Sequence, residues 1–318
     1  MHPQHSGAAR QPSRNPSSAR TAAKSPQRAR ARTTALAFIA PFGLLFIAFY
    51  LVPIGYAIDR SFYQIHREGA FGQASEVFAG LANYTAALSD ADFLHSVGRV
   101  LLFGIVQVPL MLALALLIAL LLDSGVLRLK RFFRIAVFLP YAVPAVIGAI
   151  VWGYLYSPGL SPVLGALSRL GLSPDLLGPD WILWSIANIV TWTYTGYNVI
   201  ILYSALRAID PALYEAARMD GATGWQVAWH IKVPILRPAL ALTTLFSIIG
   251  TLQLFTEPEV LHGISSSVSS SFTPTIMAFN QASGNNYSYA ATLSVILALT
   301  TAILSYVLMK TTQRRTNA

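Results

Sequence analysis

The chain has 318 residues, 54% of them hydrophobic, and only 35 are charged. That is 11%, less than half the roughly 25% usual for soluble domains, and it excludes an ordinary cytosolic enzyme. The formal charge of +9 is unevenly placed, with seven of the 22 basic residues in the first 32 positions, and cysteine is absent, which removes disulfides and thiolate metal sites.

Residues 1–32 combine Ser, Pro, Ala and Gln with Arg10, Arg14, Arg20, Lys24, Arg28, Arg30 and Arg32 and hold no acid. A disordered basic tail is expected there. Uncharged, mostly apolar runs follow at 33–58, 100–122, 135–157, 181–206, 238–256 and 287–309. The first is 26 residues long, against roughly 7–15 for the apolar region of a cleavable signal peptide, so it reads as a retained span. About 20 residues at about 1.5 Å each cross a hydrocarbon core of about 30 Å. All six runs qualify, and the prediction is an all-α membrane protein with six transmembrane helices over 33–309 and a short tail, 310–318. Buried helices of a large soluble protein would need amphipathic neighbours to cover them, and none is present.

With the N-terminus inside, the segments 1–32, 123–134, 207–237 and 310–318 hold 18 of the 22 basic residues. The opposite segments, 59–99, 158–180 and 257–286, hold only Arg60, Arg67, Arg99 and Arg169 with nine of the 13 acids. Both termini are therefore expected to be cytoplasmic. The positive charge is then a topology signal, not a nucleic-acid footprint, and the tail is free to touch anionic lipid headgroups. No Asp, Glu, Lys or Arg falls inside any run. That argues against a proton- or ion-coupled carrier and against a voltage sensor, and it favours a neutral solute.

The fourth run is the most polar. Asn188, Thr191, Thr195 and Asn198 fall within about 80° of one helix face, with Trp184 on the same face and Trp192, Tyr194 and Tyr197 nearby. This stripe reads either as a path for a hydroxylated solute or as hydrogen-bonding glue between helices. In the fifth run Thr244, Ser247 and Thr251 share a face, while Gln253 points away on a regular helix. Pro41, Pro53, Pro109, Pro140 and Pro144 predict kinks.

The longest inner connection, 207–237, has the signals of built structure. Asp210–Pro211 is an N-cap followed by a first-turn proline, opening a helix towards Asp220. Gly221 suits a turn of positive φ, Thr223 with Gln226 reads as a capping box, and Pro234 and Pro238 redirect the chain into the fifth run. A short amphipathic helix on a rigid turn is either a docking element or a segment lying on lipid headgroups. No lysine completes a G-x-x-x-x-G-K-[ST] phosphate loop. No metal cluster or catalytic constellation stands out. The serines between Ser265 and Ser271 mark an outer loop, either a docking surface or a flexible polar segment.

The order Glu215-Ala216-Ala217, three residues, Gly221, nine residues, Ile231, one residue, Val233-Pro234 resembles the EAA loop of binding-protein-dependent ABC importer permeases, with Val233 in place of leucine. Asp220-Gly221-Ala222 extends the match, as do Ala205-Leu206, Ile209 and Leu213. Gly80-Leu81-Ala82-Asn83-Tyr84, Arg131-Phe132-Phe133-Arg134, Leu139-Pro140, Trp152, Tyr289-Ala290-Ala291 and Ser294 resemble the sugar-importing, maltose and glycerol-phosphate type branch. The resemblance implies a type I ABC importer permease fold in a bacterial inner membrane. It implies coupling through Glu215, Ala216, Ala217, Asp220 and Gly221 to an ABC ATPase dimer that uses ATP and Mg, with no cofactor on this chain. It further implies a second homologous permease and an extracytoplasmic solute-binding protein as partners, and a sugar or sugar derivative as cargo. A self-contained carrier or channel, and an ABC permease for a non-sugar solute, are the competing readings.

Overall fold

The computed structural model describes residues 26–67, 74–124 and 127–316. Of the basic tail expected over 1–32, residues 1–25 lie outside the described residues, and 26–32 open the first helix. The described residues fall into two compact units, one ending at Ile54 and one beginning at Gly55.

In the first unit α1 (Pro26–Phe46) passes through Pro41 and a π-helical turn, Ile47–Leu51, into α2 (Val52–Arg60), which crosses the division. The π turn has a local cause. Pro53 has no N–H to donate, and its ring displaces the carbonyl four residues back, so the helix widens by one residue instead of breaking. No residue from Leu36 to Ile54 is buried.

The second unit opens with a hairpin that the hydropathy pattern did not reveal, β1 (Tyr63–Arg67) and β2 (Ala74–Phe78), antiparallel with Tyr63 opposite Phe78. Arg60 and Glu76 form an ion pair beside it. Next comes α3 (Ala82–Ser89), whose buried Asn83 side chain donates to the carbonyls of Ser61 (3.0 Å) and Tyr63 (2.7 Å) and accepts from Gln64 Nε2 (2.8 Å). One amide thus pins the hairpin to the helix. The Asp90 carboxylate caps α4 (Ala91–Asp123), accepting from the backbone N–H of Asp92 and Phe93.

The run 135–157 is not one straight helix. It is contained in α5 (Lys130–Ala142) and α6 (Ala145–Tyr156), which meet at 97°. Val143 precedes Pro144 and is extended, φ −77° and ψ 130°, because the proline ring disfavours the helical region for the residue before it. Two helices follow, α7 (Pro162–Arg169) and α8 (Ile182–Arg207). The loop region then contributes α9 (Pro211–Met219), α10 (Gly224–Val227), a second π turn at Ala228–Lys232 and α11 (Val233–Ile235). The remaining helices are α12 (Arg237–Leu252), α13 (Thr256–His262), α14 (Pro274–Ser283) and α15 (Tyr287–Thr316).

Among the described residues four stretches are fit by length and composition to cross a membrane, Leu36–Arg60, Ala91–Asp123, Arg237–His262 and Tyr287–Thr311, and five if the bent pair is one span. Six were expected. The helix that separates the counts is α8: its 26 residues are enough and Arg207 is its only charge, but Asn188, Asn198 and its threonines lower its apolarity.

A second correction concerns the fifth run, expected to end at 256. The helical path resumes after a three-residue break at Gln253–Phe255 and continues to His262. Glu257 and Glu259 sit in the first turn of α13, where acids suit the positive end of a helix. The apolar stretch therefore does contain carboxylates. The serine-rich segment that follows is tied down. Ser265 Oγ donates to the Leu177 carbonyl (2.7 Å), Asn280 Nδ2 donates to the Ser270 carbonyl (2.8 Å), and Val268 and Phe272 are buried.

Two main apolar clusters hold the unit together. In one, Ala115, Ala119 and Leu122 of α4 meet Val199, Leu202 and Leu206 of α8, closed by Ile209 and Leu236. The other gathers Phe103, Tyr156, Ile186, Leu261, Phe272 and Ile276 from five helices and the loop before α14. The junction of α5 with α8 is close enough that a Cβ on Gly196 would run into the Val137 carbonyl.

Candidate functional site

The loop between α8 and α12 is built as its sequence signals predict. Asp210 accepts from the backbone N–H of Ala212 (2.9 Å), and Pro211 occupies the first turn. At the far end Gly221 takes φ +80°. The Ala222 N–H bonds the Ala217 carbonyl (2.9 Å) and the Gly221 N–H bonds the Arg218 carbonyl (3.0 Å), the paired bonds of a Schellman motif. Thr223 and Gln226 then close a capping box, with Thr223 N–H donating to Gln226 Oε1 (2.7 Å) and Gln226 N–H donating to Thr223 Oγ1 (3.3 Å). The π turn at Ala228–Lys232 precedes Pro234 by the same spacing as the earlier one precedes Pro53.

The rigid turn presents an unusual surface. No residue of α9 is buried, and Glu215, Ala216, Asp220 and Gly221 are exposed, with Ala217 half-buried. Met219 is 88% and Trp225 68% exposed, and Trp225 packs edge-to-face on the exposed Trp229, ring centres 5.5 Å apart. Apolar side chains held outward on a capped, hydrogen-bonded scaffold form a surface suited to contact.

Beneath this surface the loop is fastened to the helix bundle. Lys232 Nζ lies 2.5 Å from Asp123 Oδ2 at the end of α4, with side chains only 13% and 8% exposed. The ammonium also sits 4.8 Å from the centre of the Tyr214 ring, within cation–π range. Burial, and secondarily the Asp123 carboxylate, push the Tyr214 phenol above its usual range, so it stays neutral at physiological pH. Its hydroxyl is buried without a partner.

The second feature is a cavity of about 220 Å³ among α4, α5, α8, α12 and α13. Gln107, Asn198, Ser247, Thr251, Gln253 and Glu257 bring polar groups to its wall, and Tyr141, Tyr194 and Tyr197 bring rings. Tyr141 and Tyr197 stack with centres 5.2 Å apart. The break after α12 explains why Gln253 reaches the same cavity as Ser247 and Thr251: it is the C-cap, at φ −99° and ψ 18°, and no longer follows the helical screw.

Of the four α8 residues singled out by pattern, Asn198 lines the cavity. Thr191 accepts from Gln107 Nε2 (3.2 Å), Thr195 Oγ1 donates to the Thr191 carbonyl (2.5 Å), and Asn188 Nδ2 donates to the Tyr156 hydroxyl (2.7 Å). Gln107 and Glu257 were not singled out. Gln107 is a single polar residue in a long apolar run, and Glu257 lies just beyond the run's apparent end.

A helical protein with membrane-length apolar helices, a polar cavity among them and a contact loop at one end has the form of the membrane subunit of a transporter. The family model described as the binding-protein-dependent transport system inner membrane component matches residues 111–317, and the chain belongs to that family. It is 32% identical over 277 residues to the lactose transport system permease protein LacF of Rhizobium radiobacter, covering 85% of this chain and 90% of that protein. It is 34% identical over 218 residues to the sn-glycerol-3-phosphate transport system permease protein UgpA of Brucella abortus biovar 1 (strain 9-941), covering 67% of this chain and 73% of that one. In fold it is similar to a chain of a bacterial ABC transporter involved in the import of the acidic polysaccharide alginate. The TM-score is 0.78 at 21% identity, over 91% of this chain and 98% of that chain.

Proposed function

We propose that this chain is one of two permease subunits of an ATP-driven importer in a bacterial inner membrane, forming part of the path for a sugar or sugar derivative. The observation that carries the reading is the α9–Gly221 turn, with Glu215, Ala216, Asp220 and Gly221 outward on a scaffold fixed at both ends, in a chain of the binding-protein-dependent family. That turn is the contact for an ABC ATPase dimer, which supplies the ATP and Mg chemistry, while a solute-binding protein delivers cargo from the opposite side. Movement of the ATPases reaches the helices through α9 and the Lys232–Asp123 fastening. The bent α5–α6 pair and α8 complete six spans, and both termini face the cytoplasm. The path includes the cavity reached by Asn198. Thr191 and Thr195 support its wall from behind, and Asn188 holds α8 to Tyr156 of α6.

Two measurements test this. Proteoliposomes holding the chain with its second permease and ATPase, supplied with the binding protein, are expected to take up lactose only when ATP is hydrolysed. ATP-independent uptake would refute the importer reading. Because the chain has no cysteine, single cysteines at Met219 and Ser266 report sidedness without background. They are expected to label from opposite faces, Met219 from the cytoplasm.

A further inference from the structure

Three oxygens at the cavity are buried without a hydrogen-bond donor: Gln107 Oε1, Asn198 Oδ1 and Glu257 Oε1. Their side chains belong to residues only 1%, 1% and 4% exposed, and all three residues line the cavity. The amide nitrogens are already engaged, Gln107 Nε2 with Thr191 Oγ1 (3.2 Å) and Asn198 Nδ2 with the Tyr194 carbonyl (3.1 Å). What remains of these two amides is an acceptor each, and Glu257 adds a third. An acceptor left unpaired away from water costs free energy that a donor from a ligand recovers.

No cation faces them: among the described residues, no Lys, Arg or His lines the cavity, and Glu257 has no ion-pair partner. An anionic solute would bring more acceptors, and a charge that meets no countercharge, into a desolvated space, where an unpaired charge is costly. A hydroxylated ring brings donors on its edge and an apolar face for the tyrosines.

We infer that this cavity selects an uncharged, hydroxyl-rich solute and rejects phosphorylated or carboxylated ones, with Glu257 as the specificity-determining acceptor and Gln107 and Asn198 beside it. The inference rests on the importer reading above and narrows it, separating this chain's cargo from the phosphorylated solute for which UgpA is named.

The test is ligand-induced thermal stabilisation of the full complex of this chain with its second permease and ATPase in lipid nanodiscs, titrated with lactose or with sn-glycerol 3-phosphate. Lactose is expected to raise the unfolding temperature in a saturable manner and sn-glycerol 3-phosphate to leave it unchanged. Glu257→Gln, which keeps shape but replaces one acceptor by a donor, is expected to weaken lactose about tenfold or more while leaving the ligand-free unfolding temperature in place. Gln107→Met is a second variant of similar shape, with the same direction expected. Stabilisation by sn-glycerol 3-phosphate, an absence of stabilisation by lactose, or unchanged lactose affinity in both variants would each overturn the inference. Intact lactose binding in a complex that fails to import under ATP would instead overturn the importer reading alone.

Discussion

Removing one partner of the Lys232–Asp123 pair should separate a buried fastening from an ornamental surface ion pair. The two side chains are 13% and 8% exposed and their charged atoms are 2.5 Å apart, so water screens little of the interaction. Breaking such a pair on one side costs about 3–5 kcal/mol, against about 0–1 for an exposed pair. The two halves are also unequal. Asp123 is the last residue of α4, at the negative end of the helix dipole, so Lys232→Met strands a carboxylate where it is least welcome. Asp123→Asn leaves the ammonium its Tyr214 ring at 4.8 Å. Lys232→Met should therefore cost the upper part of that range and Asp123→Asn the lower. At roughly 2 °C per kcal/mol for a chain of this size, thermal unfolding of the purified complex should fall by about 6–10 °C, and the double variant should lose less than the two singles together. The same singles should hydrolyse ATP without matching uptake, because α9 would shift without drawing α4. Losses of about 2 °C or less in both singles, or strict additivity in the double, would refute the reasoning.

Other expectations follow from individual contacts. Gly221 holds φ +80° with open space around it, so Gly221→Ala carries backbone strain alone, about 1–2 kcal/mol. Gly221→Asp should abolish ATP-driven uptake while membrane insertion stays normal, and full uptake by that variant would exclude the turn from coupling. Asn83→Ala removes the three bonds that pin the hairpin, so amide exchange over 63–67 and 74–78 should quicken with little change in α12 or α15. Tyr214→Phe deletes a buried hydroxyl with no partner, and unfolding should be neutral or slightly stabilised, whereas Tyr214→Ala should destabilise by removing the ring under Lys232. Gly196→Ala forces α8 away from the Val137 carbonyl, at about 1–3 kcal/mol of overpacking, seen as a lower unfolding temperature.

How far the sequence reads depends on the range over which each signal acts. Caps and turns are decided by a few adjacent atoms, so Asp210, Gly221 and the Thr223–Gln226 box were legible in advance and take the expected geometry. Span length was legible because hydropathy sums over about 20 residues. The interruption of the third span was only half legible. Pro144 promises a kink, but its 97° size depends on what α6 packs against. The hairpin at 63–78 was missed because its strands, five residues each, are fixed by Asn83 from another element and not by their own alternation.

The same distinction governs the cavity. A stripe of Asn and Thr along α8 is visible as periodicity, yet periodicity cannot say which members are consumed by neighbours. Asn188 finds Tyr156, Thr191 receives Gln107, and Thr195 folds back on its own helix, which leaves Asn198 at the cavity wall. Glu257 was read as an outer-loop acid because the apolar run stops at Thr256. Its place is set by the break at Gln253–Phe255, which lets the chain turn without ending the helical path. That break puts Gln253 on the face it would otherwise miss and places a buried carboxylate among the tyrosines. A helix that ran straight through 253–255 would aim Gln253 away from the cavity. The irregular backbone is therefore what brings Gln253 and Glu257 to a cavity wall along an apolar helical path, consistent with non-helical segments at membrane depth being tolerated where they line a cavity.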